Sequence, residues 1–550
     1  MEEIKKAVSG AVKDLFGEDI EPVLTRPDEQ FGDYSTNVAM QLAGKTGKNP
    51  REIAEALAKK IKSPAVSKIE LAGPGFLNII LTDEALIDAL HKKPAQAYAG
   101  KTVVIEHTDP NPFKEFHIGH AYSNTIGESI RRLYKAAGAS VHQVSYHGDV
   151  GLHVAMAIYG LKQRFVTSEN FDIEPAGTIQ EKVAILGQAY ALGAKNFRDD
   201  PKVQEEIKVI NTKIYEQSDS EINNFYELGR NHSFIYFDSI YKRLNVGFEK
   251  QYFESMTGPE GIKIVEENLD KVFEKSDGAI VFKGEKFDLH TRVFVNSQGL
   301  PTYEAKELGL AFAKQRDYNF DEAVVVTANE IDQYFQVLLA ALGQIDEDLA
   351  KKIKHVSHGV VKLPSGKMSS RTGDVITAVE VLDMLGEAVK KAYGDRAVAV
   401  EDNVLAALKY VFLKHRIGGD IVFDINESIS LEGNSGPYLQ YAHARAKQVV
   451  ERARADGITP KLELNAEPND VSRLVTRFPE VVLYAANELE PHLLANYLIA
   501  LAGAFNSWYA QVHILDGTKE APHKVAIVDA VRATLKNGLW LLGIPAPERM

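Results

Sequence analysis

The run Thr102-Val103-Val104-Ile105 is continuously apolar and β-branched, the pattern of a strand buried on both faces of a parallel sheet. A polar turn follows from Glu106 to Pro112, and its prolines, Pro110 and Pro112, forbid both helix and central strand. The period then changes. Tyr122, Ile126, Ile130, Leu133 and Ala137 recur at helical spacing, and Gly138 stands where a left-handed glycine ends a helix. Ser140 to Tyr146 reads as the next strand. It delivers His147-Gly148-Asp149-Val150-Gly151 to a strand's C-terminal end, where open α/β sheets bind ligands.

The flanking regions have different patterns. Residues 1–95 alternate helix and strand, with Ile4, Val8, Ala11, Val12 and Leu15 on one helical face ended by Gly17. A helix over 51–62 buries Ile53, Leu57, Ala58 and Ile61, and Gly73-Pro74-Gly75 turns into a strand from Phe76 to Leu81. The central region spans 96–400. Within it, residues 152–275 are helical and charge-rich and read as an insertion between two halves of the sheet. The second half resumes with a hairpin near Asp277-Gly278 and a helix that carries Tyr303 and Glu307 on one face. A buried strand at Val324–Thr327 and another from His355 to Val361 complete it. Residues 401–550 are almost wholly helical, and Asn434-Ser435-Gly436-Pro437 caps one of those helices. The expected class is α/β: a Rossmann-type core with a parallel sheet, an N-terminal α+β domain and a C-terminal all-α domain.

Composition narrows this picture. At 550 residues the chain exceeds one core, so roughly three or four domains are expected. The absence of cysteine excludes disulfides and Cys-ligated zinc and is compatible with a reducing cytoplasm. There is no uninterrupted apolar stretch of about 18 residues and no signal-peptide pattern at Met1–Lys6, so no membrane association is expected. A net charge of −13 argues against indiscriminate nucleic-acid binding while leaving room for a local basic face.

The candidate chemistry lies in two short strings. In His117-Ile118-Gly119-His120, two imidazoles at a helix start can face a ligand lying over the helix N-terminus, where exposed N–H groups and the dipole favour phosphate. Gly119 removes the Cβ that would hold a ligand's ring off the backbone. By themselves the two residues are equally a metal pair or ordinary surface histidines. About 250 residues later comes Gly366-Lys367-Met368-Ser369-Ser370-Arg371-Thr372-Gly373, suited to closing over phosphates or, alone, to being a solvated basic loop. Tyr438, Tyr441 and Arg445 form one helical stripe that could stack on and clamp single-stranded bases, or pack on a neighbouring helix. Phe76 is a stacking platform or a core aromatic.

Together the two strings resemble the paired signatures of class I aminoacyl-tRNA synthetases. Asp109-Pro110-Asn111-Pro112, the segment from Gly436 to Arg445 and the ending Leu541–Met550 are similar, more narrowly, to arginyl-tRNA synthetases over nearly the whole chain. The resemblance implies that ATP with Mg²⁺, L-arginine and tRNA(Arg) are the substrates and that arginyl-adenylate is the intermediate. It implies no protein-ligated metal, a single-chain enzyme and activation that waits for bound tRNA. His117, Gly119 and His120 would contact ATP, Lys367 would stabilise the departing pyrophosphate, and Met368, Ser369 and Ser370 would shape the closing loop. Glu106, Asn111, Tyr303, Glu307 and Glu330 match arginine-binding positions. Glu307 stands where Asp is common and Glu330 where Gln is expected, and both changes are compatible with a cationic substrate. The N-terminal domain would touch the tRNA D-loop through Phe76 and Asn78. Tyr438, Tyr441, Arg445 and Met550 would meet the anticodon.

Three rivals share parts of this pattern. A nucleotidylyltransferase has the His-x-Gly-His but no reason for a tyrosine-lined helical domain. An inactive tRNA-binding scaffold would have lost an imidazole or the loop lysine, and both are present. A sister synthetase for another amino acid is distinguished by Glu106, Glu307 and Glu330, which suit a cation.

Overall fold

The computed structural model describes residues 2–27, 31–90, 92–165, 177–362, 364, 376–394, 399–463 and 470–550. The N-terminal region buries its helical stripes against a small antiparallel sheet. Helix α1 (Glu2–Phe16), strand β1 (Tyr34–Thr36), helices α2 (Val38–Thr46) and α3 (Pro50–Lys60), strands β2 (Val66–Ala72) and β3 (Phe76–Leu81), and helix α4 (Asp83–Ala89) follow in order. The sheet order is β1-β3-β2, and Val8, Ile53, Leu57, Leu77 and Ile79 are buried together beneath it.

The central unit is β4 (Thr102–His107), α5 (Ile118–Ala136) and β5 (Ser140–His147). Four helices come next, α6 (Leu152–Phe165), α7 (Ile179–Asp199), α8 (Pro201–Glu216) and α9 (Ser220–Arg243). Then come β6 (Lys250–Phe253), α10 (Glu254–Glu267) and an antiparallel trio of β7 (Glu274–Ser276), β8 (Ala279–Phe282) and β9 (Arg292–Val295). They are followed by α11 (Tyr303–Tyr318), β10 (Glu322–Ala328), α12 (Asp332–Ile345), α13 (Glu347–Lys352) and β11 (Ile353–His358). The main sheet is wholly parallel, in the order β11-β10-β4-β5-β6. Central β4 sends Val103 and Ile105 into one core and Val104 into the other, which is why its run is continuously apolar rather than alternating.

Two boundaries differ from the sequence reading. The helices of the insertion stop at Arg243, not near residue 275, because Lys250–Phe253 is the edge strand of the main sheet. A four-residue edge strand of mixed polarity carries too few apolar positions to register as a period. Glu106 and His107 belong to the end of β4 rather than to the turn, and both are buried. The turn itself is strained: Thr108, Asp109 and Phe113 have φ of 84°, 43° and 65°.

The chain closes with β12 (Val361–Lys362), α14 (Ala378–Tyr393), α15 (Val400–Leu413), β13 (Ile421–Val422), α16 (Ile425–Ser428), α17 (Gly436–Ala455), α18 (Asp470–Glu488), α19 (Pro491–Gln511) and α20 (Ala521–Leu541). Ser435 caps α17 by accepting from the Tyr438 N–H at 3.1 Å, with Pro437 in the first turn. The C-terminal end of α20 is fastened to the core. Arg132 of α5 donates to Trp540 O (2.6 Å), Ser129 to Leu541 O (3.0 Å), and fully buried Lys409 of α15 to Gly543 O (2.9 Å) and Leu244 O (2.7 Å). The N-terminal region docks on α18, where Arg26 pairs with Glu480 at 2.9 Å and Arg473 with Asp33. Among the described residues, no helix is long and apolar enough to cross a membrane.

Candidate active site

Two groups of side chains meet at the C-terminal ends of β4 and β5. The first is the imidazole pair. His117 precedes α5, and its ring stacks on that of His120 with centroids 3.5 Å apart, while its backbone N–H donates to His120 Nδ1 at 3.2 Å. A Cβ on Gly119 would come within 3.0 Å of the His117 ring, so the glycine makes room for the stack itself. Burial first, then the nearby Lys114 ammonium, holds His117 down at about 4, and burial with the His117 ring beside it holds His120 well below the ordinary imidazole value. Both rings are therefore neutral at pH 7 and meet a ligand by hydrogen bonding rather than by charge.

One face of this pair is supplied from far along the chain. Ile118 N–H donates to Ile376 O (3.1 Å) and Ala378 N–H to Phe116 O (2.9 Å), a bridge that pairs His117 with Thr377. Lys367, Met368, Ser369 and Ser370 lie outside the described residues, but the chain emerging from that segment is hydrogen-bonded to the imidazole turn. His358, at the end of β11, adds a further contact, with its Nε2 2.6 Å from Ser123 Oγ of α5 and its Nδ1 2.7 Å from Gly359 O. A carbonyl can only accept, so Nδ1 carries the proton and Ser123 donates to Nε2.

The second group is a cleft of carboxylates, Glu106 and Glu254 buried and Asp109 and Glu307 half-buried. Glu106, at the end of β4, is 2% exposed and ion-paired with Lys314 of α11. Asp109 accepts from the Tyr146 N–H at 2.7 Å, and burial with the Glu106 charge beside it lifts its carboxyl well above the usual range. Glu307 accepts from the Tyr334 hydroxyl at 3.2 Å, and burial followed by the Glu106 charge pushes its carboxyl up to about 8. Asn111 Oδ1 accepts from the Gly148 N–H at 3.1 Å, and any Cβ on Gly148 would collide with it at 2.4 Å. Glu254, opening α10, pairs with Lys306 at 2.6 Å, and both are almost wholly buried. Tyr303, 55% exposed at the start of α11, holds its ring 5.2 Å from the Lys306 ammonium. Between cleft and imidazoles lies His147, whose Nδ1 donates to Pro110 O at 2.8 Å, leaving Nε2 to accept from Ser145 (2.9 Å).

The sequence-derived set is thus gathered in part. Glu106, Asn111, Tyr303 and Glu307 come together. Glu330 does not join them: it is exposed on the short turn Asn329–Ile331 after β10, and no hydrogen bond or ion pair ties it to the carboxylate cleft among the described residues. Glu254, Lys306 and Lys314 were missed, because a lysine and a glutamate 52 or 208 residues apart carry no local signal of pairing.

The stripe on α17 is half-exposed and bonded to α19. Arg445 donates to Asn506 Oδ1 (2.7 Å) and to the Tyr441 hydroxyl (2.5 Å), and Asn506 donates to the Tyr438 hydroxyl (3.0 Å). The guanidinium lies 4.5 Å from the Tyr441 ring and 5.2 Å from that of Tyr509, so Asn506 and Tyr509 extend the predicted surface. The C-terminal segment runs along the same helix: Gln440 donates to Pro545 O (2.8 Å) and Lys447 pairs with Glu548, two residues before Met550. In the N-terminal sheet, Phe76 is exposed. Asn78 is buried in β3 between Ser35 of β1 and Glu70 of β2.

Residues 83–415 match the family model described as tRNA synthetases class I (R), catalytic domain. The chain belongs to the class I arginyl-tRNA synthetases. Residues 2–81 match the arginyl tRNA synthetase N terminal domain and residues 439–550 the DALR anticodon binding domain. An arginine–tRNA ligase of Lactococcus lactis subsp. cremoris is 29% identical over 100% of this chain and 99% of its own length. Another, from Flavobacterium psychrophilum, is 30% identical over 86% and 85%. The fold is shared with arginyl-tRNA synthetase of Thermus thermophilus (TM-score 0.83, 24% identity, 99% of each chain). It is also shared with that of Plasmodium falciparum (TM-score 0.81, 20% identity, 100% and 99%). As an arginyl-tRNA synthetase, the chain is an ATP-dependent ligase that joins L-arginine to its tRNA.

Proposed function

We propose that arginine is activated in the carboxylate cleft, with ATP lying over the His117–His120 end of α5. The observation that carries this reading is the bridge between His117 and Thr377, because it tethers the chain leaving the Lys-Met-Ser-Ser segment beside the imidazole pair. His117 and His120, as neutral rings, hydrogen-bond the phosphates, and Gly119 lies against the adenosine. Lys367, with Met368, Ser369 and Ser370, stabilises the leaving pyrophosphate. Magnesium enters with ATP as part of that substrate. No residue acts as a covalent nucleophile: an oxygen of the arginine carboxylate bonds to the α-phosphorus as the bond to pyrophosphate breaks, giving arginyl-adenylate. Catalysis is then positioning and charge stabilisation.

Glu307 receives the guanidinium, with the Tyr334 hydroxyl fixing its carboxylate. Glu106, already balanced by Lys314, forms the wall behind it, and Tyr303 covers the mouth. Anticodon bases stack on Tyr438, Tyr441 and Arg445, with Met550 at the edge, and Phe76 meets the D-loop. The enzyme works as a monomer in the cytoplasm without membrane contact, and activation requires bound tRNA. Arginine-dependent ATP–pyrophosphate exchange, run with and without arginine tRNA, tests this reading. Exchange only with tRNA supports both the site and the coupling, and exchange without tRNA removes the coupling. If His117→Ala and Glu307→Gln leave exchange unaltered, the site assignment is wrong.

A further inference from the structure

The cleft holds two buried cations among its described residues, and they occupy different depths. Lys314 sits at the end of β4, against Glu106. Lys306 sits in the first turn of α11, beside the exposed ring of Tyr303 and therefore near the mouth. Its ammonium has three N–H donors. Among the described residues one goes to Glu254 at 2.6 Å, and the Tyr215 ring stands 5.9 Å away, so donor capacity is left for a ligand. Gly151 lines the same space: a Cβ there would stand 3.7 Å from the ammonium. Glu254 has a matching arrangement. A Cβ on Gly148 would meet Glu254 Oε1 at 3.3 Å and Asn111 Oδ1 at 2.4 Å, so both oxygens converge on one glycine.

A buried ion pair is seldom retained for stability alone, because desolvation offsets most of the attraction. The Glu254–Lys306 pair does have the complementary form of an amino acid's own head group, one anion and one cation a few ångströms apart. We propose that this pair is the clamp for the substrate's backbone zwitterion: Lys306 Nζ donates to the α-carboxylate, while Glu254 and Asn111 accept from the α-ammonium. Lys306 thereby orients the oxygen that bonds to the α-phosphorus, and the guanidinium reaches past it to Glu307. Burial opposes the Lys306 charge, but Glu254 outweighs it and keeps the ammonium protonated throughout the working pH range. The inference rests on the cleft being the arginine site.

Agmatine, which keeps the guanidinium and the amine but lacks the carboxylate, separates the two parts. Titration calorimetry on the full-length enzyme should show arginine binding about 10- to 100-fold tighter than agmatine, the range of a charged hydrogen bond. In Lys306→Met, arginine should weaken by about that factor and agmatine by less than about threefold, so the preference collapses. Equal losses for both ligands would make Lys306 a structural support of Glu254 and overturn the proposal. So would a wild-type enzyme that does not distinguish the two ligands, a result that needs no variant to fold. Glu307→Gln serves as the control on the site itself: it should weaken arginine and agmatine alike. If it weakens neither, the cleft is not the arginine site, which is a different failure from that of the clamp.

Discussion

The carboxylate cleft and the α17 stripe solve opposite recognition problems with opposite physics. In the cleft, Glu106 and Glu254 are withdrawn from water and Asp109 and Glu307 are half-buried, and among the described residues Lys314 and Lys306 pair with the two buried ones. Asp109 and Glu307 are held toward their protonated forms, so the two ion pairs leave the empty cleft without a net charge, and an entering cation is what draws the proton from Glu307. The stripe is half-exposed, and its guanidinium and hydroxyls are satisfied by one another and by Asn506 before any ligand arrives. A small cation gains most from burial, where each charge counts heavily. A large polyanion gains from preformed stacking faces that need little reordering when bases land on them.

The largest expected effect tests Glu307. Glu307→Gln replaces the carboxyl that a bound cation would ionise with an amide of the same size, and kcat/KM for arginine should fall by roughly 10²- to 10³-fold with tRNA binding unaltered. A loss under tenfold would mean that Glu307 is a spectator and the contrast between the regions is weaker than stated. The stripe should respond in the other substrate. Arg445→Ala should raise KM for tRNA by about 10- to 100-fold, lower the salt dependence of tRNA binding, and leave the affinity for arginine within about twofold. Weaker arginine binding in this variant would break the separation.

The pH dependence sharpens it further. The Glu307 carboxyl, pushed up to about 8, keeps its proton in the empty enzyme near neutrality. A cation favours the carboxylate, so arginine binding releases a proton, and affinity should rise with pH by at most about tenfold per unit before levelling above pH 8. For the empty protein the sign is reversed. A raised carboxyl contributes stability that is present below its unfolded value and is lost as pH climbs through about 8, and saturating arginine should flatten that loss. Calorimetry in buffers of different ionisation enthalpy reads the released proton directly, and Glu307→Gln should abolish it. The smallest effect concerns preorganisation of the stripe. Asn506→Ala leaves Arg445 and Tyr438 each short of a partner, and KM for tRNA should rise by about threefold to tenfold. No change would mean that the faces are held by packing alone.

Several of these parts were legible along the chain, and the reason is locality. The β4 run, the α5 stripe and the Ser435 cap are fixed by residues within one or two turns of one another, so period and capping chemistry reveal them. The stripe Tyr438, Tyr441 and Arg445 follows from helical spacing for the same reason, whereas Tyr509 and Asn506 come from another helix and were invisible to spacing. Asn78 and Glu330 differ in exposure from what their strings suggest. A polar residue at a predicted contact turned out to be buried in a sheet, and a carboxylate expected in the pocket turned out to face solvent.

By itself the sequence determined the domain order, the strand–turn–helix that presents His117 and His120, and the family to which the chain belongs. Tertiary structure alone decided which charges neutralise which. Lys314 reaches Glu106 across 208 residues, Lys306 reaches Glu254 across 52, and Thr377 closes onto His117 from far along the chain. Periodicity encodes which face of an element is buried. It does not encode what stands opposite that face, and the energy of a buried charge depends almost entirely on what stands opposite it.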